Sequence, residues 1–158
     1  MSIERVREYF KEFNKDKDII VLEESSATVD LAAQALGVIP GCIAKTLSFK
    51  AKEEGCILVV VAGDKRIDNK KFKEEFGLKA KMLTPDEALE YTGHAVGGVC
   101  PFGISNSNVK VYLDESLKVY DTVYPACGSS NSAIKLTIDE IYEYSNGLKW
   151  VDICKESE

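Results

Sequence analysis

Only one histidine, His94, occurs in 158 residues, so a histidine-based triad or a His-rich metal site has little to draw on. His94 falls in a loop, where it reads either as a surface or internally satisfied residue or as a lone general base. Paired cysteines are missing too. Cys42, Cys56, Cys100, Cys127 and Cys154 are odd in number and scattered, with no CxxC or Cys/His pair at zinc spacing. Reduced thiols are expected, with no metal and no cofactor, and a redox role for Cys42, Cys100 and Cys127 lacks the paired spacing it needs. No apolar run approaches the roughly 20 residues of a membrane span. The opening MSIERVREYFKEF is charged and amphipathic rather than apolar like a signal peptide, so a cytoplasmic location with no membrane partner is the default expectation. Also absent are a GxSxG elbow, a Walker loop and a GxGxxG turn.

Excess positive charge is lacking as well. The formal charge is −6, which argues against a general nucleic-acid coat protein, because nonspecific binding rests on phosphate neutralisation. Locally the balance reverses: seven Lys and Arg between Lys65 and Lys81 outnumber Asp64, Asp68, Glu74 and Glu75. That stretch reads as a solvated helix face or as a local contact for an anionic partner. With no repeat, low-complexity tract or linker, residues 1–158 are expected to form a single domain, long enough to bury a core without staples.

What is present is a regular alternation of helix and strand signals. Ile3, Val6, Phe10 and Phe13 recur at helical spacing over about Ser2 to Asn14. IIVLEE, from Ile19, predicts a short strand. SSATVDLAAQALG predicts a helix with a Ser or Thr cap and Gly37 as its left-handed stop. GCIAKTLSFK then enters the core as a strand, and CILVVVAGD is apolar enough to be buried on both faces. Asp68 caps a short helix carrying Phe72 and Phe76, and LKAKML predicts another short strand. TPDEALEYTG has a full helix signature: Thr84 as cap, Pro85 first, Glu87 closing a capping box, Gly93 beyond the end. Strands are expected near VKVYLD, KVYDTVYP, SAIKLT and KWVDI, with a helix capped by Thr137 before the last. The pattern implies a mixed α/β fold, α+β-like, with a mixed or predominantly antiparallel sheet and helices packed around it.

Three places could carry chemistry. TGHAVGGVCPFGI, Thr92 to Ile104, mixes glycines and a proline with apolar residues, as in a shaped loop whose amides approach a ligand or in a compact helix–strand connection. PACGSSN, Pro125 to Asn131, offers small polar donors or is an ordinary hairpin. Lys45 shares strand parity with Ile43, Leu47 and Phe49, which is unusual because desolvating an ammonium is unfavourable. Its stem either snorkels to water or places a cation at a pocket edge.

Taken in order, these segments resemble the YbaK/ProX family of trans-editing aminoacyl-tRNA deacylases, related to the editing domain inserted in prolyl-tRNA synthetases. The similarity runs from about Ile20 to Leu148. It is carried by ALGVIPGCIAKTL, VVVAGDKRIDNKKF with Ile67, Asp68 and Lys70 in register, TGHAVGGVCPFGI with its GxxxP element from Gly97 to Pro101, and VYLDESL. The resemblance implies a mixed sheet or barrel-like core ringed by helices. It also implies hydrolysis of the ester joining a wrong amino acid to a tRNA 3′ end, without a metal. Lys45 stands at the family's essential lysine, and Thr46, Gly97, Gly98, Pro101, Gly128, Ser129 and Ser130 at substrate-contacting positions. In the family the 2′-hydroxyl of the terminal adenosine, or a cysteinyl thiol, is thought to assist, so no protein nucleophile is required.

One departure stands out. Family members commonly carry Gly-x-Arg-Gly after the penultimate strand, whereas Gly128 here is followed by Ser129, Ser130 and Asn131, the last still able to take positive φ. Cysteinyl-, alanyl- or another small aminoacyl-tRNA is the implied substrate, Cys-tRNA(Pro) first, with prolyl-tRNA synthetase or an elongation factor as possible partners. The alternative is a noncatalytic tRNA- or synthetase-binding module of the same fold.

Overall fold

A computed structural model describes residues 2–156. In chain order the elements are α1 (Ser2–Lys11), β1 (Ile20–Val21), α2 (Val29–Leu36), β2 (Ile43–Lys50), β3 (Cys56–Ala62), α3 (Asn69–Phe76) and α4 (Pro85–Thr92). They continue with β4 (Val109–Asp114), β5 (Thr122–Pro125), β6 (Ser132–Ala133), β7 (Leu136–Thr137), α5 (Ile138–Tyr144) and β8 (Trp150–Val151). Six strands form one mixed sheet in the order β7-β5-β2-β3-β4-β8, and β1 pairs with β6 apart from it. The β2–β3 and β5–β7 pairs are antiparallel, whereas β2–β5, β3–β4 and β4–β8 are parallel. The fold is therefore mixed α/β, as the sequence pattern implies. Among the described residues, no helix is long and apolar enough to cross a membrane.

β3 is buried along its whole length because both faces of the sheet are covered. Leu58, Val60 and Ala62 face a cluster built with Val6 and Phe10 of α1, Phe102, and Ile141 of α5. Ile57, Val59 and Val61 face a second cluster with Phe49, Phe72 of α3, Val151 and Ile153. Local capping sets the helix starts. Thr28 accepts from the Leu31 amide, Asp68 from the Lys70 and Lys71 amides, and Thr84 and Thr137 form complete capping boxes with Glu87 and Glu140.

Some elements differ from the sequence pattern. LKAKML makes no strand: only Met82 bridges to Phe49, beside bonds from the Lys50 amide to the Lys81 carbonyl and from the Leu83 amide to the Ser48 carbonyl. It runs past the end of β2 and then turns away into α4. α1 ends at Lys11, three residues short of Asn14, which adopts positive φ in the following turn. IIVLEE shrinks to Ile20–Val21, because its partner strand among the described residues, β6, is itself two residues long. In KVYDTVYP, Lys118 and Val119 belong to a 3-10 turn, Glu115–Val119, capped by the buried Asp114 carboxylate.

Candidate functional site

The largest change from sequence to space concerns Lys45. Its register partner is Val61, so its side chain leaves the sheet on the face of Leu47, Phe49 and the second cluster, as parity requires. It does not simply reach water. The residue is half-buried, and its Nζ donates to the Lys65 carbonyl at 2.5 Å in the turn that follows β3. Burial pushes the Cys154 thiol up to about 12, and the Lys45 charge only partly opposes this. The bond to the Lys65 carbonyl fixes where the Lys45 Nζ sits.

Lys45 also borders a cavity of about 260 Å³. Its walls come from five parts of the chain: Ser26–Thr28 with the first turn of α2, the β2 residues Ile43 to Thr46 and Ser48, Met82–Pro85 with Ala88 of α4, Val96, Gly97 and Val99, and Tyr124, Ala126, Ser132 and Ala133. Most of these are small or apolar. The cavity exists because β2 has a broken outer edge. β5 pairs with it only at Ile43 and Ala44, and the Met82 segment meets it only from Ser48 onward.

The glycine loop supplies one wall, and close backbone approach explains its composition. Gly97 has φ +92°, and a β-carbon there would lie 3.2 Å from Ala27 Cβ and 3.3 Å from Ser130 Cβ. At Gly98 a β-carbon would lie 2.6 Å from both the Gly128 carbonyl carbon and the Ser129 nitrogen. Gly128, at φ +92°, presses in turn on the α1 start, where the Ser2 hydroxyl donates to its carbonyl. Two loops and the start of α1 therefore stack backbone against backbone. Of the two residues that define the GxxxP element, Gly97 borders the cavity and Pro101 does not. Pro101 is buried elsewhere, beside Tyr9 and Asn146 at a separate cavity of about 200 Å³.

PACGSSN works as a clamp. The Ser130 carbonyl accepts from the Ser26 amide at 2.6 Å and from the Ser26 hydroxyl at 3.2 Å. Asn131 accepts from the Leu22 amide at 2.7 Å through its carbonyl and donates through Nδ2 to the Leu22 carbonyl at 3.0 Å. Ser129 Oγ lies 2.7 Å from Ser132 Oγ and 2.9 Å from Asn131 Oδ1. These bonds hold Ser26–Thr28 over the cavity. Positive φ at Asn131 is not used: among the described residues, the non-glycine positions with positive φ are Asn14 and Asn146. The extended pairing of β6 with β1, beginning at Ser132, favours an ordinary conformation there. Ser26, Ser48, Tyr124 and Ser132 were not singled out by sequence reasoning. Thr28 announces itself only as a helix cap, and nothing local joins Tyr124 to a strand eighty residues earlier.

His94 lies outside the cavity and is fully buried. Its Nε2 sits 2.8 Å from the Phe102 carbonyl, so that nitrogen carries the proton, and Nδ1 has no protein partner. Desolvation pulls its pKa below the ordinary value, opposed in part by the bond to Phe102. A depressed folded-state pKa means that the unfolded chain takes up the proton first as pH falls. The stability contribution is full above about 6.5 and declines as pH drops from there toward the folded-state pKa. Urea midpoints at about pH 7 and about pH 5.5 should therefore fall more steeply for the natural protein than for His94→Gln, which keeps a donor to Phe102 without titrating.

Residues 23–144 match the family model described as an aminoacyl-tRNA editing domain. The chain belongs to this family. Within it, the chain is 52% identical over 158 residues, the whole of both chains, to YwhH of Bacillus subtilis, a protein of uncharacterized function. It is 28% identical over 125 residues, 78% of this chain and 76% of the other, to EbsC of Enterococcus faecalis, described as a candidate Cys-tRNA(Pro)/Cys-tRNA(Cys) deacylase. Similarity extends to the proline–tRNA ligase of Thermosipho melanesiensis, 35% identical over 70% of this chain but only 19% of the ligase. Among solved structures, a candidate trans-editing enzyme for prolyl tRNA synthetase superposes with a TM-score of 0.87 at 31% identity, covering 98% of this chain and 97% of that one. The fold of that structure is thus shared over 98% of this chain.

Proposed function

We propose that this editing domain, spanning residues 1–158, hydrolyses the ester of mischarged aminoacyl-tRNA in trans, with Cys-tRNA(Pro) as first substrate and Ala-tRNA(Pro) or another small aminoacyl-tRNA next. The observation that carries this is the small, mostly apolar cavity beside a fixed lysine ammonium. About 260 Å³ is below the roughly 300–1,000 Å³ of drug-sized ligand sites and suits a small amino acid with the nucleotide left outside. Such a second site removes small products that a synthetic site rejects poorly.

Water adds to the ester carbonyl carbon, the bond from that carbon to the ribose oxygen breaks, and the ribose oxygen takes a proton. The free amino acid and the tRNA 3′-hydroxyl are released. Lys45 holds the terminal ribose or phosphate against the cavity mouth, and the Lys65 carbonyl sets where its ammonium sits. Thr46 and Gly97 border the aminoacyl group directly. Gly98, Gly128, Ser129 and Ser130 shape the wall from behind, and Pro101 anchors the far end of the glycine loop. No metal or cofactor enters the reaction. The setting is the cytoplasm, with the tRNA acceptor end as partner and prolyl-tRNA synthetase or an elongation factor delivering it.

Incubating the protein with a panel of labelled mischarged tRNAs tests this. Release from Cys-tRNA(Pro) well above the spontaneous rate is expected. No release from any member would favour a noncatalytic tRNA- or synthetase-binding module.

A further inference from the structure

The backbone of β2 is arranged to do more than carry Lys45. The Ser48 carbonyl and the Lys50 amide point away from β3, since they bond to Leu83 and Lys81 on the other side. In an antiparallel strand alternate residues send both backbone groups to the same edge. The N–H and C=O of Thr46, two residues earlier, therefore point to the same outer edge. There β5 has already ended, because its pairing stops at Ala44 and Pro125. Neither group of Thr46 has a hydrogen-bond partner among the described residues, and Thr46 borders the cavity. An open strand edge is a template for one more extended segment.

The gap is too short for a strand. Ala126 closes it on one side, and Met82 and Leu83 on the other, so the opening spans only the few residues between Ala44 and Ser48. A single amino-acid residue fits. We infer that the aminoacyl group of the substrate docks on Thr46 as a one-residue strand: its α-ammonium donates to the Thr46 carbonyl and its ester carbonyl accepts from the Thr46 amide. This rests on the deacylase reading above and deepens it.

Two consequences follow from the chemistry. The Thr46 N–H becomes a preorganised donor for the oxygen that gains negative charge when water adds, the kind of interaction that lowers acyl-transfer barriers most. The Thr46 carbonyl makes a free α-amine part of recognition. Peptidyl-tRNA, whose α-nitrogen is acylated and extended, would collide with the residues that close the gap. The site thus selects aminoacyl over peptidyl esters through main chain, whatever small side chain fills the cavity.

The test uses the full chain and a non-hydrolysable probe, the alanyl amide of 3′-amino-3′-deoxyadenosine, followed by 15N–1H spectra. The Thr46 amide resonance is expected to move downfield and to show the largest gain in exchange protection. A propionyl amide lacking the amine should bind roughly 10–100-fold more weakly, the loss of one charge-assisted hydrogen bond. Equal binding of the two amides, a Thr46 amide that stays put while Gly97 and Val99 shift, or no binding at millimolar probe would each overturn the inference. Turnover separates it from the deacylase reading. If alanyl and propionyl esters of adenosine are cleaved at equal rates, the docking is wrong and the hydrolase stands. If the mischarged-tRNA panel and both esters all survive, the hydrolase reading fails.

Discussion

Replacing Lys45 by alanine is expected to lower kcat/KM for Cys-tRNA(Pro) hydrolysis by about 100-fold or more, the scale seen when a contact that positions the reacting group is lost. The fold should survive. The side chain is only half-buried, and one bond to the Lys65 carbonyl is worth about 1–3 kcal/mol. Lys45→Met is the more informative variant, since it keeps the stem packed near Leu47 and Val61 while removing the charge. Equal inactivity of both variants, with Tm shifts of only a few degrees, would assign the effect to the ammonium. Lys45→Arg should recover little, because a planar guanidinium cannot occupy the place of a compact ammonium against one carbonyl. Full activity in Lys45→Ala would remove the lysine from the mechanism.

The second large effect is steric. Gly98→Ala would put a β-carbon 2.6 Å from two backbone atoms of the facing loop, Gly128 C and Ser129 N. Backbone cannot rotate aside as a side chain can, so the two loops must part. Overpacking of this kind costs about 1–3 kcal/mol. Activity should fall further than stability, because the displaced Gly128–Asn131 loop also clamps Ser26 over the cavity. Gly77→Ala is the control. Gly77 has φ +74° with nothing near its β-carbon position, so only the left-handed backbone penalty of roughly 1–2 kcal/mol applies, and turnover should be unchanged. Thermal melts and deacylation rates on the pair separate loop contact from general destabilisation. A Gly98→Ala protein as stable and active as the natural one would contradict the observed packing.

Local chemistry was legible in the sequence wherever cause and effect lie within one turn of helix or one strand. Thr28, Asp68, Thr84 and Thr137 cap their helices, Gly37 and Gly93 end two of them left-handed, and CILVVVAGD is buried on both faces. The order of motifs was enough to name the family. Parity put Lys45 on the face of Leu47 and Phe49, where it lies. Where that side chain ends was not legible, because the Lys65 carbonyl that holds it sits in a turn set by the β2–β3 hairpin and the packing beyond it.

The site itself was decided by tertiary structure. LKAKML has the composition of a strand, yet it makes one bridge and then leaves β2. PACGSSN looks like a donor-rich ligand loop, yet its groups are used on Leu22 and Ser26. Gly97 and Pro101 are four residues apart but border different cavities. Each outcome depends on which distant segment reaches a given backbone edge first. Hydrogen-bond donors and acceptors along an edge are the same for almost every residue type, so side-chain identity says little about which will be paired. The helices, the buried strand, the lysine's face and the family follow from residue order alone. The opening at Thr46 came only from where β5 stops and where the Met82 segment begins, a meeting of chain segments nearly eighty residues apart on one side and nearly forty on the other.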